Sequence, residues 1–284
     1  MLIGQFWGTG AAEGVPAPYC RCPVCLEARE KGGIYQRMRS CFRLSDSIML
    51  DLGADAVAQS MKFGDITDVE HVVITHTHDD HLNPHMLMEA MWSKRYRKPI
   101  HYYFTEEAYE ITGHWMNNPW ILKGMLPSWV EEGIVVFHKL KFGERAQVGD
   151  VFVTPFRGNH KGNVEPNSAM YLVELPDGRS LFYGLDSGKW LDETLEAVKK
   201  LHIDIFISEA TGGVTDIRYG GHMGLYQVRE LVGALFESGA ITAETKVYLT
   251  HINHGSSYDQ MIEKVGELDF PLPVTVATDG MKIF

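Results

Sequence analysis

The sequence predicts an α/β fold in which short buried strands are joined by helices. Short runs rich in β-branched residues recur along the chain, as in the segment HVVI at 71–74, and such runs are typical of buried strands. Capping residues that precede longer segments indicate helices after several of these strands. Clusters of polar side chains come directly after the strand ends, which is where sites carried on a rigid scaffold are usually found.

The predicted elements cover most of the chain. Strands are predicted at 2–7, 41–44, 47–51, 71–74, 99–104, 134–139, 150–156, 168–174, 179–184, 203–207, 246–250, 273–276 and 281–284. A helix is predicted from Asn83, a good N-cap, and Pro84, which suits the first helical position, through Trp92. Further helices are predicted at 105–112, 189–200 and about 225–237.

Length and composition set limits on the class of protein. The 284 residues contain no repeat, linker or low-complexity segment, so we expect one domain over 1–284. The net charge of −11 argues against nucleic-acid and anionic-membrane partners, which require a basic face. The dense basic run at 94–98 is predicted to be a solvated helix end rather than a phosphate-contacting surface. Neither a signal peptide nor an apolar run of ~20 residues is evident, so we expect a cytoplasmic protein.

The stretch Thr75–His81 holds three imidazoles and two carboxylates. His76 and His78 are two residues apart and can point the same way from an extended turn, so they can bind one metal. Asp80 and His81 are adjacent and must point elsewhere, which suits a second metal. Imidazole with carboxylate is a ligand set for zinc, manganese or iron. The alternative is a polar turn of solvated histidines, and Asp79 is interpreted as a solvated or supporting spacer.

Three of the four cysteines form a second cluster, Cys20, Cys22 and Cys25. They lie too close together for a disulfide framework. Thiolates select zinc, and a structural zinc takes four ligands, so a fourth ligand must come from elsewhere. The alternative is three reduced thiols that only pack. The preceding glycine-rich loop at 8–16 lacks the Lys and Ser/Thr of a P-loop, so a supporting role beside a metal cleft is favoured over a phosphate cradle.

The string from His76 to His81 resembles the metal-binding signature of the metallo-β-lactamase superfamily. The resemblance implies a four-layer αββα sandwich with two metals at one edge. It also implies a later His, a bridging Asp and a last His at strand ends, and the residues that fit are His160, Asp186 and His251. For Asp186 the alternative is a turn or N-cap residue before the helix at 189–200.

The same resemblance assigns two supporting residues. Asp51 matches an Asp that sits beneath the metals and holds a ligand imidazole by its other N–H. A second role for Asp51, which does not exclude the first, is to cap a helix that starts near Ala54. His222, in a glycine-rich setting at 220–224, matches a catalytic histidine of related phosphodiesterases that is not a ligand; otherwise it only caps or packs. Asp80 and His222 are the two residues predicted to act in catalysis.

A finer resemblance involves both ends of the chain. The glycine-rich loop, the cysteine cluster and the pair His251 and His254 together resemble the phosphoribosyl cyclic phosphate phosphodiesterases of the carbon–phosphorus lyase pathway. These enzymes couple a dinuclear site to a structural zinc with three Cys and one His, so His254 is the candidate fourth ligand. The pyrroloquinoline quinone biosynthesis B proteins are similar at the N-terminus. The resemblance fails at 100–145, which is interpreted as an aromatic-rich insertion: a lid, a subunit contact or, as we favour, a lobe that packs its own aromatics.

The resemblance implies a hydrolase with two divalent ions, zinc or manganese, in the active site and one structural zinc. We expect a phosphodiesterase that cleaves a small cyclic or linear phosphodiester by attack of a hydroxide held between the metals. His222 either protonates the leaving alkoxide or neutralises charge on the phosphoryl oxygens. The alternatives are a thioesterase or lactonase of the same superfamily, or a non-enzymatic carrier. The expected partner is a small phosphoester, and a homodimer is compatible with the sequence.

Overall fold

The computed structural model describes residues 1–92, 98–116, 118–120, 122–161, 167–217 and 221–284. Its first sheet has the strand order β1-β2-β3-β4-β5-β6. These strands are β1 (Leu2–Gly8), β2 (Cys41–Ser45), β3 (Ile48–Leu50), β4 (His71–Val73), β5 (Ile100–Thr105) and β6 (Val135–Leu140). The strands β3 to β6 are parallel to one another, whereas β1 and β2 are antiparallel to their neighbours.

The second sheet has the order β13-β12-β11-β10-β9-β8-β7. Its strands are β7 (Ala146–Val148), β8 (Val151–Lys161), β9 (Asn167–Glu174), β10 (Ser180–Gly184), β11 (Ile205–Glu209), β12 (Lys246–Thr250) and β13 (Val274–Val276). Here β10 to β13 are parallel and the hairpin strands β7 to β9 are antiparallel. Because the carboxyl ends of parallel strands meet at the same edge of a sheet, the loops after β3, β4, β10, β11 and β12 are the ones that can build a shared site.

Most of the described helices cover the outer faces of the sheets. The helices are α1 (Pro23–Lys31), α2 (Ala56–Phe63), α3 (His85–Trp92), α4 (Glu106–Met116), α5 (Leu126–Glu131), α6 (Asp192–Val198), α7 (Leu225–Ser238) and α8 (Tyr258–Glu267). The longest, α7, shows why such a segment folds as a surface helix: its buried residues recur every three or four positions, which places them on one face. Gly239 ends it in the left-handed conformation, φ 79°, that glycine adopts without steric cost.

Three hydrophobic cores define four layers. The central core joins the facing sides of the two sheets, with Phe42 and Leu50 from the first sheet against Tyr183 from the second. A second core packs the first sheet against α3, α4 and α5, and a third packs the second sheet against α6, α7 and α8. The arrangement is helix, sheet, sheet, helix, and the predicted αββα sandwich is confirmed. Among the described helices, none has the length and apolar character needed to cross a membrane.

Several local expectations need correction. The predicted strand at 281–284 is not a strand: its backbone hydrogen-bonds to β1 through Ile283 and an isolated bridge pairs Lys282 with Gln5. The sequence reading missed α1, α5, α8 and β7. In α1 only Cys25 and Ala28 are buried, so no apolar stripe marks the helix. In α8 the usable signal was the capping box formed by Ser257 and Gln260.

The segment at 100–145 begins with β5, continues through α4 and α5 to β6 of the same sheet, and ends in the loop before β7. Trp129 of α5 is buried whereas Trp120 is 91% exposed, so this part packs some aromatics and exposes others. That the segment is an insertion, and that the chain is one domain, stay predictions. The basic run at 94–98 lies outside the described residues except for Lys98, which pairs with Glu70 at 2.5 Å.

Three histidines stack at the end of the first sheet where β4 and β5 begin. His71 and His101 are register partners on β4 and β5, and Nδ1 of His101 lies 2.8 Å from Nε2 of His138 on β6. Nδ1 of His71 contacts the Tyr103 hydroxyl at 3.0 Å. Burial lowers the pKa of each of the three imidazoles. These three histidines lack ligand spacing in the sequence, and the structure shows them packed and hydrogen-bonded.

Candidate metal centre

The loop after β4 is held in place by backbone hydrogen bonds from the loop after β3. Leu52 N–H donates to the His81 carbonyl at 2.8 Å, and Ala54 N–H donates to the Asp79 carbonyl at 2.9 Å. The two loops approach so closely that a Cβ at Gly53 would lie 1.9 Å from the Asp80 carbonyl oxygen. Only glycine fits there, so the sequence Asp51-Leu52-Gly53 fixes where the ligands of the next loop point.

The first cluster joins the two sheets. It contains His76, His78, His160 and Asp186, whose ligand atoms all lie within 4.8 Å of one another. Nδ1 of His78 is 2.9 Å from Nε2 of His76 and 3.2 Å from Nε2 of His160. Ligand nitrogens on one tetrahedral zinc are about 3.3 Å apart, given Zn–N bonds of about 2.0–2.1 Å. The spacing of these nitrogens is therefore the one expected for ligands of one ion.

The second cluster contains Asp80, His81, Asp186 and His251, again within 4.8 Å of one another. Nε2 of His81 lies 3.2 Å from Nε2 of His251 and 3.0 Å from Oδ2 of Asp186. Asp186 therefore belongs to both clusters, as the sequence led us to expect for a bridging carboxylate. The structure brings together all seven residues predicted to bind the active-site metals; that each is a ligand stays a prediction.

The chemistry of these groups fits divalent cations. Both carboxylate oxygens of Asp80 and Oδ1 of Asp186 are buried and accept no hydrogen bond from the described residues. Buried carboxylate oxygens are costly unless they are paired or bind a metal. Imidazole nitrogen and carboxylate oxygen suit zinc, and also manganese or iron. His76, His78 and His160 would hold one ion, Asp80, His81 and His251 the other, and Asp186 both.

The pKa values of most of the clustered side chains also favour metal binding. Burial lowers the pKa of His76, His78 and His160 and so favours the neutral imidazole, the form that binds metal. Burial opposes ionisation of Asp80, but the charge of His81 outweighs it and holds the pKa of the Asp80 carboxyl well below its ordinary value. The pKa of Asp186 is also well below its ordinary value, because His251 and His81 outweigh burial. The site thus keeps its carboxylates ionised, which is the form that binds a metal.

Backbone strain is concentrated at this edge of the sheets. Asp51, Asp186 and His251 adopt φ values of 61°, 42° and 55°, in the left-handed region that non-glycine residues seldom occupy. Each follows a strand, β3, β10 or β12. Strain of this kind persists only where the surroundings over-determine the conformation, and here it turns three side chains away from the strand direction and into the site.

Asp51 supports the clusters from below. Its Oδ2 accepts from Nδ1 of His81 at 2.7 Å, which confirms the expected contact with a ligand imidazole. Thr75 donates to Asp51 from its backbone N–H at 2.8 Å and from its hydroxyl at 3.0 Å. The second role expected for Asp51, as a helix cap, is wrong, because the N-cap of α2 is Asp55.

His222 lies beside the clusters with its ring 19% exposed. Its Nδ1 is 3.3 Å from Oδ1 of Asp186 and 3.3 Å from Oε2 of Glu209. Burial lowers the pKa of His222, but the carboxylates of Asp186 and Glu209, each 3.3 Å from Nδ1, outweigh it and raise that pKa to about 11. The glycine-rich setting predicted around His222 is described in part, because Gly220 lies outside the described residues. The carbonyl of Gly221 accepts a hydrogen bond from Nδ1 of His160 at 3.0 Å.

The sequence reading missed Glu209, the last residue of β11. This carboxylate is fully buried and accepts from the Gly188 N–H at 2.7 Å and the Ser187 hydroxyl at 3.2 Å. With Asp186, His222 and His251 it forms another group whose ligand atoms lie within 4.8 Å of one another. The available signal was an acidic residue at the end of a buried run.

The cysteine cluster is assembled as predicted. Cys20, Cys22, Cys25 and His254 lie within 4.8 Å of one another, and Nδ1 of His254 is 3.5 Å from Sγ of both Cys22 and Cys25. A sulfur and a nitrogen on one tetrahedral zinc are about 3.5 Å apart, from Zn–S and Zn–N bonds of about 2.3 and 2.0–2.1 Å. The four side chains thus fit a structural zinc that ties the N-terminal segment to the loop after β12.

Comparison with known proteins agrees with this architecture. The family model described as the beta-lactamase superfamily domain matches residues 47–252, and the chain belongs to that superfamily. Among solved structures, a new diphosphatase of the PhnP family is similar with a TM-score of 0.72 and 19% identity, over 100% of this chain and 98% of that one. PqqB from Methylobacterium extorquens, bound to Zn(2+), is similar with a TM-score of 0.72 and 17% identity, over 100% of both chains.

The short form of human tRNase Z is also similar, with a TM-score of 0.64 and 20% identity, over 100% of this chain and 99% of that one. No curated protein sequence matches the chain. At these identities the structural similarities establish the fold. Membership of the superfamily, together with the clustered histidines and carboxylates, indicates a metal-dependent hydrolase.

Proposed function

We propose that the protein is a dinuclear phosphodiesterase that hydrolyses a small cyclic or linear phosphodiester. The observation that carries the proposal is the position of Asp186, whose carboxylate belongs to both ligand clusters. A shared carboxylate sets two cation sites side by side, the arrangement typical of phosphoryl-transfer hydrolases. When bound, two divalent ions activate water near neutral pH and neutralise charge on phosphoryl oxygens.

His222 and Glu209 give the site a proton donor. Nδ1 of His222 faces two carboxylates, Asp186 and Glu209, each 3.3 Å away, so this nitrogen carries a proton. The other nitrogen, Nε2, is then the atom that serves the substrate. It either donates to the leaving alkoxide, as a general acid does, or hydrogen-bonds to a phosphoryl oxygen. Glu209 is a positioning residue in this scheme, because it acts through His222.

The N-terminal segment has a supporting role. The Thr9 carbonyl accepts from the Ile252 N–H at 2.9 Å, next to His251, and the cysteine cluster holds His254 three residues further on. A structural zinc at Cys20, Cys22, Cys25 and His254 would therefore fix the loop that presents His251. The same combination of sites in one chain favours a phosphodiesterase of the type that the sequence resembles.

The test is a substrate screen with purified, metal-quantified protein. We expect hydrolysis of bis(p-nitrophenyl) phosphate or of a 2′,3′-cyclic nucleotide, and no hydrolysis of a thioester. The variant His222→Ala should lower turnover roughly 10²–10⁴-fold with unchanged metal content, whereas His85→Ala, an exposed residue of α3, should leave it unchanged. Thioester hydrolysis alone would make the protein a thioesterase. An inert protein with both ions bound would contradict the hydrolase proposal, and loss of an ion from His222→Ala would make His222 a ligand.

A further inference from the structure

A buried chain of hydrogen bonds runs behind His251. The hydroxyl of Thr211, a residue only 4% exposed, lies 2.9 Å from Nδ1 of His251 and 2.5 Å from Oε2 of Glu209. The backbone fixes the same segment: the Ala210 N–H donates to the Thr250 carbonyl at 2.8 Å, and the Asn253 N–H donates to the Thr211 carbonyl at 3.1 Å. Ala210 and Thr211 therefore hydrogen-bond to the backbone on either side of His251, Ala210 to Thr250 and Thr211 to Asn253.

The donors and acceptors in this series of hydrogen bonds are compatible with only one placement of the protons. Glu209 accepts from the Gly188 N–H at 2.7 Å, the Ser187 hydroxyl at 3.2 Å and the Met223 N–H at 3.3 Å, so it is an ionised carboxylate and only accepts. The single hydroxyl hydrogen of Thr211 therefore goes to Glu209. The Thr211 oxygen is then an acceptor toward His251, and Nδ1 of His251 must carry the proton that it donates.

We infer that Thr211 is a positioning residue that, with Glu209 behind it, fixes the tautomer of His251 and reserves Nε2 for a metal ion. The inference rests on the proposed function only in taking His251 as a ligand. Nε2 of His251 faces the second cluster, 3.2 Å from Nε2 of His81 and 3.5 Å from Oδ2 of Asp80. A hydrogen-bonded partner on the remote nitrogen of a ligand imidazole sets its orientation and raises its basicity.

The position of the proton on Nδ1 also decides which of two possible cation sites includes His251. The group with Asp80 and His81 uses Nε2 of His251. The group with Glu209 and His222 requires Nδ1, which lies 3.3 Å from Oδ1 of Asp186 and carries the proton donated to Thr211. The protonated Nδ1 excludes His251 from the second of these groups, so the cation belongs with Asp80 and His81.

The first sheet contains the same arrangement of carboxylate, threonine and imidazole. The Thr75 hydroxyl donates to Asp51 at 3.0 Å and lies 3.1 Å from Nδ1 of His76. By the same reasoning Nδ1 of His76 donates to Thr75, and Nε2 of His76 faces the first cluster. Each sheet thus supplies one carboxylate, one threonine and one imidazole that are joined by hydrogen bonds. In each case the last nitrogen, Nε2 of the imidazole, faces a ligand cluster.

The experiment compares three variants. Thr211→Val keeps the shape of the side chain and removes its hydroxyl, and Thr211→Ser keeps the hydroxyl. Thr250→Val is the matched control, since the Thr250 hydroxyl is buried and has no hydrogen-bond partner among the described residues. In ¹⁵N-histidine NMR spectra of metal-free and zinc-loaded wild-type protein, His251 should carry its proton on Nδ1. Thr211→Val should weaken binding of one active-site zinc about 10- to 100-fold in a chelator competition, and Thr211→Ser and Thr250→Val should bind as wild type.

Two results would overturn the inference: a proton on Nε2 of His251 in metal-free protein, or wild-type zinc affinity in Thr211→Val. If Thr211→Val lost zinc from the cysteine cluster as much as from the active site, the variant would be generally unfolded. The tautomer of His251 in the NMR spectra of the wild-type protein would then decide whether the inference holds. Failure of the proposed function is a separate result. A wild-type protein that binds two active-site ions and shows the Nδ1 tautomer, yet cleaves no phosphodiester, would support the role of Thr211 and contradict the phosphodiesterase.

Discussion

Replacing Asp51 by Asn tests how the clusters are supported. Oδ2 of Asp51 accepts from Nδ1 of His81 at 2.7 Å, and in Asp51→Asn one carboxylate oxygen becomes an NH₂ group. Oδ1 has its own donors, the backbone N–H and hydroxyl of Thr75, so the amide oxygen stays on that side. The NH₂ group then faces an imidazole N–H, and the two donors cannot pair.

The expected magnitude follows from that lost contact. A hydrogen bond to a charged group contributes about 1.5–3 kcal/mol, and each 1.4 kcal/mol corresponds to a factor of about ten in affinity. We therefore expect Asp51→Asn to bind the cation shared by Asp80, His81 and His251 about 10- to 100-fold more weakly, in line with other partners of ligand histidines. The zinc of the cysteine cluster should be retained.

The assay is a chelator competition followed by elemental analysis of wild-type protein, Asp51→Asn and Asp79→Asn. Asp79 lies in the same loop but is exposed, so its amide variant should bind zinc as the wild type does. If Asp51→Asn and Asp79→Asn bound zinc equally tightly, the supporting role of Asp51 would be refuted. Loss of all three ions at once, with loss of far-ultraviolet circular dichroism, would indicate misfolding instead.

Three further outcomes are expected. Cys22→Ser should bind one zinc fewer and lower the melting temperature; two tightly bound metals in both proteins would rule out the structural zinc. Gly53→Ala, whose Cβ would lie 1.9 Å from the Asp80 carbonyl oxygen, should lose active-site metal, whereas Gly266→Ala in α8, with open space around its Cβ, should keep it. Because the pKa of His138 is lowered in the folded protein, the unfolded chain takes up a proton at higher pH than the folded chain does. The contribution of His138 to the free energy of unfolding is therefore fully present above about pH 6.5 and is lost as the pH falls below about 6.5. His138→Gln should lose less stability than wild type between pH 7 and 5 in urea unfolding of metal-free protein, and an unchanged slope would contradict this.

The sequence predicted most of the elements of the fold because their signals are local. Short apolar runs rich in β-branched residues predicted nearly all strands, and the Asn83–Pro84 pair placed the start of α3 within two residues. Two of the missed elements lack such signals: β7 is three residues long, and α1 buries only Cys25 and Ala28. The segment at 281–284 has no strand partner next to it in sequence, and only its bridge to β1, at the opposite end of the chain, determines how it pairs.

The candidate ligands were visible for a related reason. The string at 75–81 and the cysteines at 20–25 place several ligands within a few residues, so their chemistry can be read without the fold. Single residues such as His160 and Asp186 were recognised through the resemblance to the superfamily. Glu209 and Thr211 escaped because a lone acidic or hydroxyl side chain after a strand is common, and its role depends on what faces it.

The sequence by itself determined the ligand types, the strand ends that carry them and the class of fold, because each of these follows from composition and spacing along a short stretch of chain. The resemblance led us to expect Asp186 in both clusters and His254 beside the cysteines, but only the tertiary structure showed that these side chains meet. The tertiary structure alone decided that Thr211 lies between Glu209 and His251. These contacts join residues from both sheets and both ends of the chain. Their geometry exists only after the two sheets pack face to face and bring the carboxyl ends of their parallel strands to one edge.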